Sequence, residues 1–256
     1  MNAFSKNYYK ILRYHSIESI ISDRNSVSLI NFVNQLQWLK ENKYEFIQIN
    51  KLLNLIKNRK HKELRKKIVI TFDSGYKNFI EVGFNVLNKY NIPATIFLVT
   101  EMIGKKAYWI VRGKNHYILS NNDINYLQSH NITFGSHSAL HCNLTMLRNH
   151  EIYQQLKESY ETIKQLGETT IPLAYPWGQW SSKVIDHAKA IGYSGAVTSS
   201  ELTRKFYTVD SFLLPRTTIH AGIDMDSFMS IFTESPCNRL VKTFIRSISR
   251  RQFPHC

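Results

Sequence analysis

Cysteine is scarce in this 256-residue chain, which has only Cys142, Cys237 and Cys256 and no C-x-x-C pair. An odd number without paired spacing argues against a disulfide framework and predicts free thiols in a reducing compartment. No segment approaches the roughly 18 consecutive apolar residues of a transmembrane helix. The first 16 residues lack the apolar core of a signal peptide, so we expect a cytoplasmic protein.

Acidic residues are also few, with Asp+Glu 19 against Lys+Arg 33 and a net charge of +14. Such an excess favours anionic partners such as nucleic acid, anionic lipid or an acidic saccharide, although solubility alone would explain it equally well. The chain contains neither G-x-G-x-x-G nor G-x-x-x-x-G-K-[ST], so nucleotide binding is not supported. No nucleic-acid recognition motif is present, and we expect no nucleic-acid partner.

Short apolar runs alternate with amphipathic helical patterns along the chain. The alternation predicts parallel βαβ units, and seven or eight repeats favour an α/β fold closed into a deformed (β/α) barrel of about seven strands. The expected division is an N-terminal βαβα portion (1–66), a core (67–235) and a basic tail (236–256). Predicted strands are 10–15, 43–48, 68–72, 94–99, 132–135, 171–175, 193–198 and 212–215; predicted helices are 28–41, 50–58, 78–90, 121–129, 149–166, 181–191 and 225–233.

The basic tail has apolar residues at helical spacing between 238 and 256. This pattern fits an amphipathic helix lying on an anionic membrane, which would make the protein peripheral to the inner face of the membrane. A C-terminal helix docked on the body of the protein would show the same pattern.

Three candidate sites follow predicted strands, where a barrel carries its catalytic residues. In "ITFDSGY" an apolar run stops at Asp73 and a glycine, several residues too early for Asp73 to cap helix 78–90. His137 and His141 follow strand 132–135 and would face one way on a helical turn, as a metal-binding pair or as ordinary surface histidines. The third site, "YPWG" at 175–178, is either a structural turn or the aromatic wall of a sugar site.

The segments "ITFDSGY", "GSHSALHCNL" and "LAYPWG" resemble, in this order, the T-F-D-D-G, H-[ST]-x-x-H and Pro-x-Gly signatures of the polysaccharide deacetylases. This family comprises the NodB-homology enzymes of carbohydrate esterase family 4. "ILRYHSIE" and "LLPRTTI" are similar to further strands of the family, so the resemblance covers most of residues 8–232. It implies a hydrolase that removes N-acetyl groups from an N-acetylhexosamine glycan or from a lipid-linked sugar precursor.

The resemblance also implies roles for individual residues. Asp73 would be the general base, and His137 and His141 would bind a divalent metal, commonly zinc, that activates water. The backbone N–H of Trp177 would help to hold the oxyanion.

The resemblance further implies a histidine late in the chain that protonates the leaving amine, and the remaining roles are assigned by position. His220 is the nearest candidate for the general acid. Arg216 is expected to orient Asp73, its alternative being a surface salt bridge, and His15 to line the site, its alternative being a buried core histidine. The side chains expected to contact substrate, besides His15, are Tyr76, Tyr175 and Pro176.

Two departures from the family pattern matter. Many members carry an arginine in the third signature that orients the base, whereas this chain has Ala174-Tyr175 there, so that Arg216 would supply the charge. The other departure lies at the centre of the first signature. Where the family has its second aspartate, a metal ligand, this chain has Ser74. Serine is neutral and a poor zinc ligand, so the third metal position loses a charge and a strong oxygen donor. The expected consequences are weaker metal binding, replacement of the ligand by water or another carboxylate, or an impaired member of the family that binds saccharide without hydrolysing it.

Overall fold

The structure, a computed structural model, describes residues 9–21, 24–109, 116–199 and 210–233. The tail 236–256, with Cys237 and Cys256, lies outside these residues, and Cys142 is a free thiol. The strands are β1 (Tyr9–Tyr14), β2 (Ser16–Glu18), β3 (Ser26–Ser28), β4 (Glu45–Phe46), β5 (Lys67–Ser74), β6 (Ala94–Leu98), β7 (Ile132–Ser136), β8 (Pro172–Ala174), β9 (Gly195–Val197) and β10 (Thr217–Thr218). The α-helices are α1 (Leu29–Glu41), α2 (Ile49–Lys57), α3 (Phe84–Lys89), α4 (Asn121–Gln128), α5 (Asn149–Gln165), α6 (Ser182–Ile191) and α7 (Met225–Thr233).

The main sheet is parallel and has the strand order β10-β1-β5-β6-β7-β8-β9, with β4 paired to the start of β5. The segment before β10 approaches the other edge of the sheet, since the N–H of Leu214 donates to the carbonyl oxygen of Ala196 and the N–H of Thr198 donates to that of Leu214. The sheet therefore curls into a barrel-like form with helices outside, and the predicted fold is confirmed. Among the described helices, none is long and apolar enough to cross a bilayer.

Residues on the strands alternate between two apolar layers, as the period of two in a strand requires. On β1, Leu12 and Tyr14 pack with the helices in the larger core, whereas Ile11 lies in a second cluster inside the curved sheet. This inner cluster has members on β1, β5, β6, β8 and β9 and forms the floor beneath the candidate site; it includes Ile11, Val69, Phe97, Ala174, Val197 and Leu214.

Three elements differ from the sequence-based expectations. The last strand is Thr217–Thr218 rather than 212–215, because Leu214 only bridges to Val197 before the chain reaches β1. The helix predicted over 78–90 is divided into a π-helical turn, Phe79–Gly83, and α3. The small parallel pair of β2 and β3 was not predicted, since three-residue strands are too short to show an alternation.

Candidate active site

Asp73 lies at the C-terminal end of β5, where the strand ends in two residues with positive φ. Ser74 has φ 73° and Gly75 has φ 77°, a region that favours glycine. A Cβ atom on Gly75 would also lie 2.5 Å from the side chain of Leu98 on β6. The turn therefore depends on the glycine, and it leaves the Asp73 carboxylate at the edge of the sheet that carries the C-terminal strand ends.

Arg216 holds Asp73 in a bidentate ion pair. Its Nη1 lies 2.5 Å from Oδ1 of Asp73 and its Nη2 lies 2.8 Å from Oδ2. The guanidinium also donates to the Thr198 carbonyl oxygen and to Oγ1 of Thr71, and it lies over the ring of Phe97 at 5.4 Å. Because both side chains are fully buried, the surface salt bridge considered as the alternative for Arg216 does not apply.

A second arginine, Arg13 of β1, contacts the same carboxylate and was not predicted. Its Nη1 lies 3.5 Å from Oδ2 of Asp73 and donates to Oγ of Ser199, while its Nε donates to Oγ1 of Thr218. Arg13 follows Ile11 by two residues, so the strand period places it on the inner face with the floor cluster. That alternation was the available signal, but an isolated arginine in a strand is more often solvent-exposed.

The two guanidinium groups determine the charge state of Asp73. Burial by itself would raise the pKa of this carboxyl, but the charges of Arg216 and Arg13 outweigh burial and hold the pKa well below its usual range. Asp73 is therefore a carboxylate at neutral pH and can accept a proton.

His137 follows β7 and has one ring nitrogen committed to the backbone. Its Nδ1–H donates to the Ala174 carbonyl oxygen at 2.7 Å, and its own backbone N–H donates to the Leu98 carbonyl oxygen. This arrangement fixes the tautomer and leaves Nε2 with a free lone pair, as in histidines that bind metal. Burial lowers the pKa of His137, which keeps the ring in the neutral form that can bind a metal.

His141 reaches the same place through a loop. The expected helical turn is wrong, because Ser138 and His141 have φ values of 63° and 59° and the chain has no helix there. The rings of His137 and His141 nevertheless lie 4.9 Å apart between centroids. Burial lowers the pKa of His141 to about 3, and its buried Nδ1 has no hydrogen-bond partner among the described residues.

Two tryptophan rings flank His141. The ring of Trp109 lies 4.5 Å from it and that of Trp177 lies 5.0 Å from it, and Nε1–H of Trp177 donates to the backbone oxygen of His141. Trp177 has φ 59° and is 58% exposed. The N–H groups of the next two residues, Gly178 and Gln179, donate to the carbonyl oxygens of Tyr175 and Pro176 and close the turn. The oxyanion role of the Trp177 N–H stays a prediction.

The residues present match a catalytic zinc site only in part. His137 and His141 supply two imidazole donors in the neutral form, and the buried Nδ1 of His141 without a partner is an atom that a ligand would satisfy. The third position is the hydroxyl of Ser74. Among the described residues, no group of three or more His, Cys, Asp or Glu side chains could hold a metal ion. A metal here would rest on two protein nitrogens and on water.

The two other predicted histidines differ in their surroundings. His15 directly follows β1, interacts electrostatically with Asp73, Arg13 and His137, and has a buried Nδ1 without a partner among the described residues. Burial lowers its pKa to about 3. His220 accepts a hydrogen bond from the Gly222 N–H at Nδ1, and burial and Arg24 lower its pKa. None of the contacts found for His220 within the described chain reaches Asp73 or the histidine pair.

Three side chains that were expected to contact substrate are buried, and the structure does not support these contacts. Tyr175 is fully buried in the larger core, on the helix side of the sheet, and its hydroxyl donates to the Phe212 carbonyl oxygen. Its side chain therefore faces away from the site. Pro176 is buried as well. Tyr76 lies in a small apolar cluster, and its hydroxyl accepts a hydrogen bond from Nε1–H of Trp109. The aromatic surface beside the histidines comes from Trp109 and Trp177 instead.

The family profile and the similar sequences found by comparison with known proteins all point to deacetylases. A sequence profile of the polysaccharide deacetylase family matches residues 60–196, more than half of the chain. YxkH of Bacillus subtilis (strain 168), provisionally named a polysaccharide deacetylase, is 29% identical over 191 residues, which cover 74% of this chain and 63% of YxkH. The poly-beta-1,6-N-acetyl-D-glucosamine N-deacetylase of Staphylococcus epidermidis is 29% identical over 115 residues, covering 42% of this chain and 39% of that enzyme. The chain thus spans less than two thirds of the length of these relatives.

The fold is also that of solved deacetylases. The Streptococcus pyogenes deacetylase PplD, solved in complex with acetate, superimposes with a TM-score of 0.74. The match covers 87% of this chain and 96% of PplD at 21% sequence identity, and it therefore supports the fold.

Proposed function

The chain belongs to the polysaccharide deacetylase family, and we propose that it is a metal-assisted hydrolase that removes N-acetyl groups from N-acetylhexosamine units of a glycan. The family comprises hydrolases that act on N-acetyl amide bonds. Poly-β-1,6-N-acetylglucosamine is the first substrate to test, since it appears in the name of the staphylococcal relative. A lipid-linked N-acetylated sugar is the second substrate to test, and only the sequence analysis suggests it.

A single observation carries the proposal. An ionised carboxylate, Asp73, is held by the buried Arg216 at the strand ends, in electrostatic contact with two neutral imidazoles, His137 and His141. A proton acceptor beside two nitrogen donors is the arrangement that hydrolytic metal sites use.

Each residue then has a defined task. When bound by His137 and His141, a divalent metal supplies Lewis-acid activation of water and of the acetyl carbonyl. Asp73 accepts the proton of the attacking water, and Arg216 fixes both carboxylate oxygens so that the acceptor keeps its orientation. The N–H of Trp177 is the donor proposed for the developing oxyanion.

The leaving amine must take up one proton, and we assign its transfer to His15 rather than to His220. His15 interacts electrostatically with Asp73 and His137, whereas the interactions of His220 are with Gly222 and Arg24. The lowered pKa keeps His15 neutral, with one nitrogen protonated and its unpartnered Nδ1 able to accept. In this form His15 accepts at Nδ1 the proton that Asp73 has taken up and donates the proton of its other ring nitrogen to the leaving amine.

The test is acetate release by the purified full chain. Substrates are a β-1,6-linked N-acetylglucosamine oligomer and a lipid-linked N-acetylglucosamine, each with added Zn²⁺ or Co²⁺. We expect acetate release with at least one metal, and its loss in His137→Ala. The matched control is His130→Ala, at a half-buried histidine that lies two residues before the N-terminal end of β7. Absence of acetate from both substrates with both metals would refute the proposal.

A second candidate function rests on Ser74. A member of this family without the third ligand could bind saccharide and leave the amide intact, because a site with two protein nitrogens binds zinc more weakly. The aromatic rings of Trp109 and Trp177 would still offer surfaces for a sugar ring. Saccharide binding by calorimetry without acetate release at any metal concentration would favour this function.

A further inference from the structure

The candidate site has more positive than negative charge. Two guanidinium groups, Arg13 and Arg216, contact the single carboxylate of Asp73. Within the described part of the chain, no other carboxylate forms an ion pair with either arginine, and Ser74 adds no charge. Burial lowers the pKa of Arg13 to about 10, so it is still protonated at neutral pH. Among the described residues, one positive charge at the strand ends is thus left without an anionic partner, which is costly unless a ligand neutralises it.

The two arginines are not equivalent. Arg216 is completely buried, and its Nε, Nη1 and Nη2 all donate to protein oxygens. Arg13 is 15% exposed, and its contact with Asp73 is 3.5 Å long. Its Nε and Nη1 are bonded to Thr218 and Ser199, whereas no contact within the described chain involves its Nη2. All three nitrogens of Arg216 are therefore engaged by protein oxygens, whereas Nη2 of Arg13 is available to a ligand.

Arg13 also lies in the correct place to meet a substrate. It is on the inner face of β1, two residues from His15, whose buried Nδ1 has no partner among the described residues. Both residues interact electrostatically with Asp73. An incoming ligand at Asp73 would therefore meet the available cationic donor of Arg13 close to the ring of His15.

We propose that Arg13 is a specificity-determining residue that binds an anionic group of the saccharide, a carboxylate or a phosphate, close to the N-acetyl group that is removed. The planar fork of a guanidinium matches the oxygens of either anion. The substrate class is then an acidic N-acetylated saccharide, with a uronic acid or a sugar phosphate next to the reacting sugar. This inference rests on the proposed function for the N-acetyl part of the ligand.

The competing explanation is that Arg13 only helps Arg216 to orient Asp73. The two explanations differ in a measurable way. A positioning residue would affect neutral and acidic ligands equally, whereas an anion-binding residue changes the ratio of the affinities for the two. The ratio is therefore the quantity to measure.

The test uses calorimetric titration of the full chain after treatment with chelator. Three matched disaccharides are compared, in which N-acetylglucosamine is linked to glucose, to glucuronic acid or to glucose 6-phosphate. We expect at least one acidic ligand to bind about tenfold or more tightly than the neutral one, with the preference decreasing at high salt. The glucuronate and phosphate arms identify which anion is preferred.

Variants then assign the preference to the residue. Arg13→Gln should bring the affinity ratio close to one, Arg13→Lys should retain part of it, and Arg65→Gln, on an exposed arginine before β5, should leave it unchanged. Thermal melting is the control that checks whether each variant is folded. Equal affinities in the wild type, or an unchanged ratio in both Arg13 variants, would overturn the proposal.

Acetate release from the same three disaccharides, with metal restored, separates this inference from the proposed function. Acidic preference in binding, without acetate release from these disaccharides or from the two substrates named above, refutes the deacetylase and supports the anion site. Acetate release at equal efficiency from all three disaccharides supports the deacetylase and refutes the role of Arg13.

Discussion

Asp73 and Arg216 form a buried pair in which each charge depends on the other. The carboxylate is 1% exposed and the guanidinium 0%, so removing one partner leaves the other desolvated. Arg13 compensates little of this loss, since its contact with Asp73 is longer and partly solvated.

We expect Arg216→Met to lower the free energy of unfolding by about 3–5 kcal/mol, because it leaves a buried carboxylate without its main partner. Urea denaturation of wild type and variant measures the change. Adding Asp73→Asn in the same chain should recover part of the loss, while Arg65→Met serves as the surface control. A loss below about 1 kcal/mol would show that the pair behaves as an exposed salt bridge.

The sequence predicted the residues of this site unevenly. Asp73, His137 and His141 lie in short motifs, and Arg216 was expected to orient Asp73 from the position of its segment, although 143 positions separate the two residues. Arg13 was missed because the sequence does not show which face of β1 packs against the helices and which lies inside the curved sheet. The helical turn expected for the histidine pair was wrong, because nothing in the residue types of Ser138 or His141 specifies a positive φ.

At the scale of elements, β6 and β7 support the site through one cross-strand pair. Phe97 on β6 lies opposite Gly135 on β7. A Cβ atom on Gly135 would lie 2.7 Å from the Phe97 ring and 2.8 Å from the Pro172 carbonyl oxygen. The ring of Phe97 in turn lies beneath the Arg216 guanidinium, so the absence of a side chain on β7 lets the floor of the site form.

Gly135→Ala should therefore destabilise the fold by about 1–3 kcal/mol through overpacking. It should also lower acetate release more than stability alone explains, because a displaced Phe97 no longer supports Arg216. Thermal unfolding and acetate assays measure the two effects. Gly222→Ala, where the nearest atom is a movable His220 side chain, is the control. Wild-type stability in Gly135→Ala would show that the sheet can shift at no cost.

Most elements could be predicted because their periodic patterns are long. The long helices α1, α5 and α6 and the apolar strands β5 and β6 all appear near their predicted positions. The two-residue strand β10 could not be placed, since it is defined by its pairing with β1 and not by a local pattern.

At the scale of the whole molecule, the first and last described segments join one sheet. β1 lies between β5 and β10, and β4 pairs with the start of β5. The division at residue 66 that the sequence indicated therefore runs through the main sheet, and it remains a prediction whether either part folds alone.

Removal of residues 1–66 should abolish cooperative folding of the remainder. Such a fragment loses the β1 and β4 partners of β5 and exposes the inner cluster around Val69. Circular dichroism during urea denaturation is the measurement, with the full chain as reference. A cooperative transition in the fragment 67–256 would show that the chain after residue 66 folds independently.

The central claim is that a site with two histidines and Ser74 still hydrolyses N-acetyl groups. The most direct measurement is the rate of acetate release as a function of Zn²⁺ concentration for the wild type and Ser74→Asp. We expect activity in both, with the wild type reaching saturation at a higher Zn²⁺ concentration because it lacks the carboxylate ligand. Activity in Ser74→Asp with none in the wild type at any Zn²⁺ concentration would contradict it and identify the natural chain as a silent member of the family.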